Sequence, residues 1–265
     1  MRTTVVTGMW GDAWQRYGAR FFARFLLNWP VETELIIGAD RDDFGTVVAS
    51  ADRPVRILRI DEISVLTDWL KSHKHNPVAR GKREAAPGTW KKKERALGYS
   101  WRHDAYRWVR QAVIPIYAAE MLPDGEALCW LDADVVTHEP VPRNFVPHVL
   151  QNKRLAYLGR APKHSEIGFW ACVLDDRTRR FMSRFANIYL SDSFLEMPQS
   201  HSAFCFDAAR AQVFGADSPD VRDLTPGGSG HVWFQSELGN YMDHEKGARK
   251  GKGSAQARSK GWSRK

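Results

Sequence analysis

Ala127-Leu128-Cys129-Trp130-Leu131-Asp132-Ala133-Asp134-Val135-Val136 is an apolar run closing on two acids separated by one residue. The turn signal Pro123-Asp124-Gly125 bounds it upstream, so the five residues from Ala127 read as a strand. A continuous apolar run, rather than an alternating one, marks a strand buried on both faces, as in a parallel sheet between helices. Asp132 and Asp134 then stand at its C-terminal end, the edge at which open α/β sheets bind ligands. Two carboxylates on a rigid strand end can share one hard divalent cation that also holds phosphate oxygens. The same pair can cap a solvated turn, and D-x-D after an apolar strand also occurs in phosphatases with an aspartate nucleophile. The rest of the chain has to decide.

Upstream, Thr3 to Thr7 form a β-branched strand ending at Gly8, and Gly11-Asp12 opens an amphipathic run to Trp29-Pro30, with Phe21, Phe22, Phe25 and Leu26 at helical spacing. Glu34 to Gly38, closed by Ala39-Asp40, and Val55 to Ile60 are further strands. Asp61 is placed to cap a helix carrying Ile63, Leu66, Trp69 and Leu70. Strand and helix alternate, which predicts an α/β fold around a mostly parallel sheet. Periodicity fades from Ser72 to Gly98, where Pro77, Gly81, Pro87 and Gly88 predict a long loop. A helix then starts within Tyr99 to Trp108 and runs to about Met121, with Arg102 and Asp104 near its N-terminus and Arg107 and Arg110 on following turns. Beyond the acids, the pattern predicts a helix from Asn144 to Leu150 and strands at Leu155 to Leu158 and Phe169 to Leu174. Asp175 or Asp176 caps a helix through Leu190, another covers Gln199 to Gln212, and Pro219 to Gly230 reads as a loop. Residues 1–245 hold no linker-like stretch and are expected to form one domain.

Composition excludes several classes. Apolar residues make up 43% of the 265, with eleven Trp, so the chain can build a core and is not disordered. No apolar run approaches the ~18 residues of a membrane span, and the N-terminus lacks a secretory pattern. Cys129, Cys172 and Cys205 each lie in apolar segments without metal-ligand spacing, which predicts reduced core thiols and a cytoplasmic setting. The net charge of +8 is concentrated: residues 246–265 hold eight Lys/Arg and no acid, and residues 71–95 hold nine Lys/Arg against Glu84 and Glu94. Clustered cations of this kind suit a polyanion, because binding phosphates releases counterions.

The last segment before the basic end supplies His244, Gly247 and Lys250. A neutral His can ligate a metal, Gly allows close backbone approach to a phosphate, and Lys neutralises a leaving charge. With the D-x-D about 110 residues upstream, this H-x-x-G-x-x-K ending resembles that of the glycogenin-like retaining families, within the GT-A class of nucleotide-sugar glycosyltransferases. The Pro-Trp usual after that Lys is replaced by Gly251-Lys252.

The resemblance implies a GT-A fold, with a Rossmann-like, mostly parallel central sheet and flanking helices. It implies Mn²⁺ or Mg²⁺ held by Asp132, Asp134 and His244, with Gly247 and Lys250 on the diphosphate of a donor such as a UDP-sugar. Thr7, Gly8, Met9, Asp40 and Ala133 would border the nucleotide donor, and Arg102 or Arg107 would contact it. Glu166, Gly168 and the His201-Ser202 helix start fall where such enzymes hold acceptor and sugar. Inversion would call for a carboxylate base, Glu166 or Asp207. The chain is also similar to bacteriophage-type glycosyltransferases, some of which modify hydroxymethylated pyrimidines in DNA. Residues 71–95, with Trp90 beside Lys91, Lys92 and Lys93, and residues 246–265 would then hold DNA near the cleft. A protein, lipid or glycan acceptor, an aspartate phosphatase, and a non-catalytic nucleic-acid-binding module are the alternatives.

Overall fold

The computed structural model describes residues 1–40, 51–225 and 232–244. In chain order it begins with β1 (Thr3–Met9), a π-helical turn at Trp14–Gly18, α1 (Ala19–Asn28), β2 (Glu34–Ala39) and β3 (Val55–Arg59). Next come α2 (Ser64–His73), α3 (Lys92–Leu97), a 3₁₀ turn at Trp101–His103, α4 (Ala105–Glu120), β4 (Ala127–Leu131) and β5 (Val135–Thr137). Then follow α5 (Phe145–Leu150), β6 (Leu155–Leu158), β7 (Glu166–Val173), α6 (Asp176–Leu190), a 3₁₀ turn at Ser193–Glu196, α7 (Ser202–Phe214), β8 (Val221–Asp223), α8 (Val232–Gln235), a 3₁₀ turn at Glu237–Asn240 and β9 (Met242–His244).

Among the described residues seven strands form one sheet in the order β3-β2-β1-β4-β7-β6-β8, and β5 pairs with β9 in a small ribbon. The pairs β3/β2, β2/β1, β1/β4 and β6/β8 are parallel, whereas β7 runs antiparallel to both β4 and β6. The fold is therefore α/β with a mostly parallel central sheet. Strand order reverses between β1 and β4, and a crevice opens outside the C-terminal ends of strands at such a point.

Every residue of β4 is buried, and its side chains alternate between two cores. Leu128 and Trp130 join the layer built by α2, α4, α6 and α7, while Cys129 and Leu131 join the layer under α1 and α5. Burial on both faces is why the strand reads as an unbroken apolar run. At about 1.5–3 kcal/mol for each large apolar side chain fully buried, Leu128, Trp130 and Leu131 hold the strand end, and the acids beyond it, rigidly in place. The expected Phe stripe of α1 is buried at Phe21, Phe22 and Phe25.

Several elements differ from expectation. Asp61 does not cap α2: Ile63 occupies the N-cap, and Asp61 accepts from the Arg59 guanidinium at 2.6 and 2.9 Å. The stretch from Ser72 to Gly98 is not a structureless loop. Asn76 Oδ1 accepts from the Val78 and Ala79 N–H groups, and α3 forms where Lys, Glu, Arg, Ala and Leu favour helix. Glu94 fixes that helix by accepting from the Lys91 N–H at 2.7 Å and from Arg102 at 2.9 and 2.5 Å. Hydrogen bonding to Arg102, above all, holds the Glu94 carboxyl down at about 2. Trp90 is buried rather than displayed beside the lysines, with 6% of its surface exposed. β7 begins at Glu166, three residues early, because antiparallel pairing with β6 aligns Leu158 with Glu166 and overrides the local turn signals. A short strand, β8, interrupts the expected loop after Pro219 because it pairs with β6. Among the described residues no helix is long and apolar enough to cross a membrane.

Candidate active site

The acids at the end of β4 are set by three strand contacts. The Asp132 N–H donates to the Gly168 carbonyl at 2.9 Å, and the Val135 N–H closes a turn on the Asp132 carbonyl at 2.9 Å. In the β5/β9 ribbon, Val135 lies opposite His244, so the imidazole arrives beside Asp134 from a residue 110 positions away. His244 Nε2 stands 2.8 Å from Asp134 Oδ1 and 3.8 Å from Asp132 Oδ2. One ligand atom from each of the three side chains lies within 4.8 Å of the other two.

The donor set suits a divalent cation on two counts. An octahedral ion with bonds of ~2.1 Å spaces its ligand atoms about 3 Å apart when adjacent and about 4 Å when opposite, and His244 Nε2 lies 2.8 and 3.8 Å from the two carboxylates. Ligating carboxylates are also fixed from behind. Gln111 Nε2 at 2.7 Å and Trp130 Nε1 at 2.8 Å both donate to Asp132 Oδ1, leaving Oδ2 on the side of His244.

The cluster forms the floor of a cavity of about 750 Å³. Its β1 wall carries Gly8, Trp10, Asp12, Arg16 and Tyr17, and its α4 wall carries Trp101, Arg107, Trp108 and Gln111. Arg160, Ser165, Glu166 and His201 close the far side. Of the residues singled out from sequence, Gly8, Arg107, Asp132, Ala133, Asp134, Glu166, His201, Ser202 and His244 line this space. Thr7 and Met9 do not, because both side chains are wholly buried beneath β1. Asp40 instead accepts from the Gly11 N–H, with both oxygens at 3.2 Å, and so holds the loop after β1. Arg102 is turned into its pair with Glu94 and does not line the cavity. Asp207 also stands back from it: its oxygens accept from the Ser165 N–H at 3.0 Å and Oγ–H at 2.5 Å, fixing the segment before Glu166. Gly247, Lys250 and the segment 246–265 lie outside the described residues.

Sequence reading missed Gln111 and Trp130. Trp130 was findable, since residues two apart on a strand share a face and Trp130-x-Asp132 follows that rule. Gln111 sits one helical turn after Arg107 and Trp108, so α4 presents all three to one side.

His201 supplies a pH-dependent element at the cavity wall. Its Nδ1 accepts from the Phe204 N–H as N-cap of α7, and its Nε2 meets Gln199 Oε1 at 2.9 Å. Burial, reinforced by the charges of His164, Arg102 and Arg160, pushes its pKa down to about 3. An unfolded His binds its proton near pH 6.5, so the unfolded state holds more protons between pH 6.5 and 3 and stability falls as pH drops through that window. At ~1.4 kcal/mol per pH unit, about 2 kcal/mol is lost at pH 5. His201→Asn keeps an N-cap acceptor and removes the titration. Urea unfolding at pH 7 and pH 5 should show wild type losing about 2 kcal/mol more than this variant; equal losses would exclude His201 as the source.

No family profile matches the chain, and no curated protein matches its sequence. Solved structures do resemble its backbone. Mouse xyloside xylosyltransferase 1, apo form, aligns over 85% of this chain and 86% of that chain, with 12% identity and a TM-score of 0.48. A glycosyltransferase involved in glycosylation of the major capsid of PBCV-1 aligns over 94% and 96%, with 13% identity and a TM-score of 0.45. Apo glycosyltransferase GlyE of Streptococcus pneumoniae TIGR4 aligns over 80% of this chain, with 8% identity and a TM-score of 0.45; the chain spans 44% of its length. Likeness of chain path at this level does not specify chemistry.

Proposed function

We propose that residues 1–245 form a metal-dependent glycosyltransferase domain of the GT-A type, moving a sugar from a nucleotide-diphosphate donor, expected to be a UDP-sugar, to a hydroxyl acceptor. The observation that carries this reading is the convergence of Asp132, Asp134 and His244 at the C-terminal end of β4, at the switch point of the sheet and on the floor of the 750 Å³ cavity. Asp132, Asp134 and His244 would hold Mn²⁺ or Mg²⁺, and the bound ion supplies charge neutralisation to a departing diphosphate. Arg107 and Arg16 line the same cavity and would add positive charge toward the phosphates, with Gly247 and Lys250 assigned to the diphosphate as well. Trp10 and Tyr17 give the β1 wall flat faces on which a nucleoside can stack. Free, buried Cys129, Cys172 and Cys205 suit a cytoplasmic enzyme, of the host cell if the gene is a phage's.

For the acceptor we propose a hydroxymethylated pyrimidine in DNA. Trp101 lies at the cavity wall with 48% of its surface exposed and its ring against Trp108, centroids 6.3 Å apart, while the Arg107 guanidinium covers Trp108 at 4.8 Å. The Glu94–Arg102 pair ties the Lys-rich α3 to the turn bearing Trp101. Exposed aromatics beside clustered cations are the means by which proteins hold an unstacked strand. A glycan acceptor would account for the tryptophans but not for the lysines.

Two measurements test this. Incubation with a panel of nucleotide sugars should release one nucleoside diphosphate in Mn²⁺, and EDTA should stop it. Failure of every donor to stabilise the protein or be cleaved would overturn the enzyme reading. Separately, a single-stranded oligonucleotide should bind with salt-dependent affinity, and Trp101→Ala should weaken it roughly 5- to 150-fold at ~1–3 kcal/mol per stacked base. Truncation after Lys250 should make the salt slope shallower. Absence of salt-dependent binding would remove DNA as acceptor and leave sugar transfer standing.

A further inference from the structure

The His244 side chain has 2% of its surface exposed, and its two ring nitrogens face different carboxylates. Nε2 faces the D-x-D pair, whereas Nδ1 stands 3.3 Å from Glu166 Oε1. Glu166 is itself 4% exposed, and its position is fixed twice over: the Gly168 N–H donates to Oε1 at 3.3 Å, and Arg160 Nη1 donates to Oε2 at 3.3 Å. A nitrogen can ligate a metal only when it carries no proton, so if Nε2 serves the cation, the ring's proton must sit on Nδ1 and needs an acceptor there. Glu166 is the carboxylate in that place. Antiparallel β7 delivers it there, running from Glu166 alongside the end of β4.

We infer that Glu166 is a positioning residue, accepting the Nδ1 proton of His244 and so keeping Nε2 bare and aimed between Asp132 and Asp134, rather than a base acting on the acceptor. The inference rests on the proposed metal site and not on the identity of donor or acceptor. It separates two residues of similar chemistry near the cavity: Asp207 orders the approach to Glu166 through Ser165, and Glu166 orders the ligand. It also assigns Arg160 a role, since its Nη1 donates to Oε2 and holds the carboxylate with Oε1 toward the imidazole.

Titration with Mn²⁺, followed by the EPR signal of the free ion, reads the site without any donor present. Glu166→Gln retains a carbonyl oxygen that can accept from Nδ1, so it should bind Mn²⁺ within about threefold of wild type. Glu166→Ala removes the acceptor and should bind about 10- to 100-fold more weakly, as loss of an outer-sphere partner does. If Glu166 acts through the imidazole, the double variant Glu166→Ala/His244→Ala should bind no more weakly than His244→Ala alone. Wild-type Mn²⁺ affinity in Glu166→Ala would overturn the inference and leave the metal site intact. Full Mn²⁺ affinity with no transfer in Glu166→Gln would also overturn it, by giving Glu166 a direct role in the reaction. No binding of Mn²⁺ by the wild-type protein would overturn the metal-site reading and the inference with it.

Discussion

Asp132→Asn and Asp134→Asn should each lower cation-dependent donor hydrolysis at least a hundredfold while leaving the fold intact. Loss of an outer-sphere partner alone costs roughly 10- to 100-fold in metal affinity or activity, which sets a floor for losing a ligand. The two substitutions are close to isosteric but not equivalent. Asp132 Oδ1 accepts from both Gln111 and Trp130, so an amide at 132 must turn its NH₂ away from those donors. That orientation points the NH₂ toward His244 and places a donor where a ligand oxygen is required. Asp134 Oδ1 faces His244 Nε2 at 2.8 Å, and an amide there removes the charge on the other side of the imidazole. Neither change should harm stability by more than about 1 kcal/mol. Asp132, Asp134 and Glu166 are three carboxylates around one imidazole, and removing one relieves like-charge repulsion in the metal-free protein. The check is nucleoside diphosphate release at saturating Mn²⁺ beside urea unfolding of each variant. Wild-type hydrolysis in either would show that the D-x-D holds no essential cation.

How far the site is legible in the sequence follows from which forces placed each part. β4 is readable because burial on both faces demands an unbroken apolar run, and the acids can only follow where that run stops. The partnership with His244 is readable only through a motif resemblance, since the β5/β9 register that joins Val135 to His244 leaves no local pattern in three-residue strands. The roles of Glu166 and Asp207 were ambiguous for a related reason. Both are acids in the region past the D-x-D, and only the antiparallel course of β7 shows that one faces His244 while the other holds Ser165. Arg102 and Arg107 were equivalent on sequence. The structure separates them because Glu94, on a helix the loop-like composition concealed, takes Arg102 away from the cavity. Trp90 was misplaced for the same cause: a tryptophan among lysines looks displayed until the surrounding segment is seen to pack.

Gly168→Ala should disable the site almost as thoroughly as loss of a ligand, although residue 168 bears no functional group. Gly168 lies in β7 opposite the end of β4, and its carbonyl accepts from the Asp132 N–H. A Cβ at this position would stand 2.5 Å from His244 Nδ1 and 2.6 Å from its Cε1, well inside van der Waals contact. The ring has little room to retreat, since its side chain is 2% exposed and Trp233 packs edge-on against it at 5.5 Å. The same Cβ lies 3.4 Å from Asp132 Oδ2, so the strand cannot ease the contact by shifting toward the aspartate. The imidazole must therefore rotate away from Glu166 and from the D-x-D together. Overpacking of this kind costs about 1–3 kcal/mol in stability, which a fold of this size tolerates. The metal site has no such margin, because one displaced ligand forfeits the alignment of the set. Mn²⁺ affinity should fall at least tenfold and donor hydrolysis at least a hundredfold, with far-UV circular dichroism unchanged. Gly168→Ala/His244→Ala should then fold better than Gly168→Ala alone, because the smaller side chain at 244 relieves the clash while metal binding stays lost. A Gly168→Ala protein that binds Mn²⁺ as tightly as wild type would show that His244 does not need its observed position to serve the site.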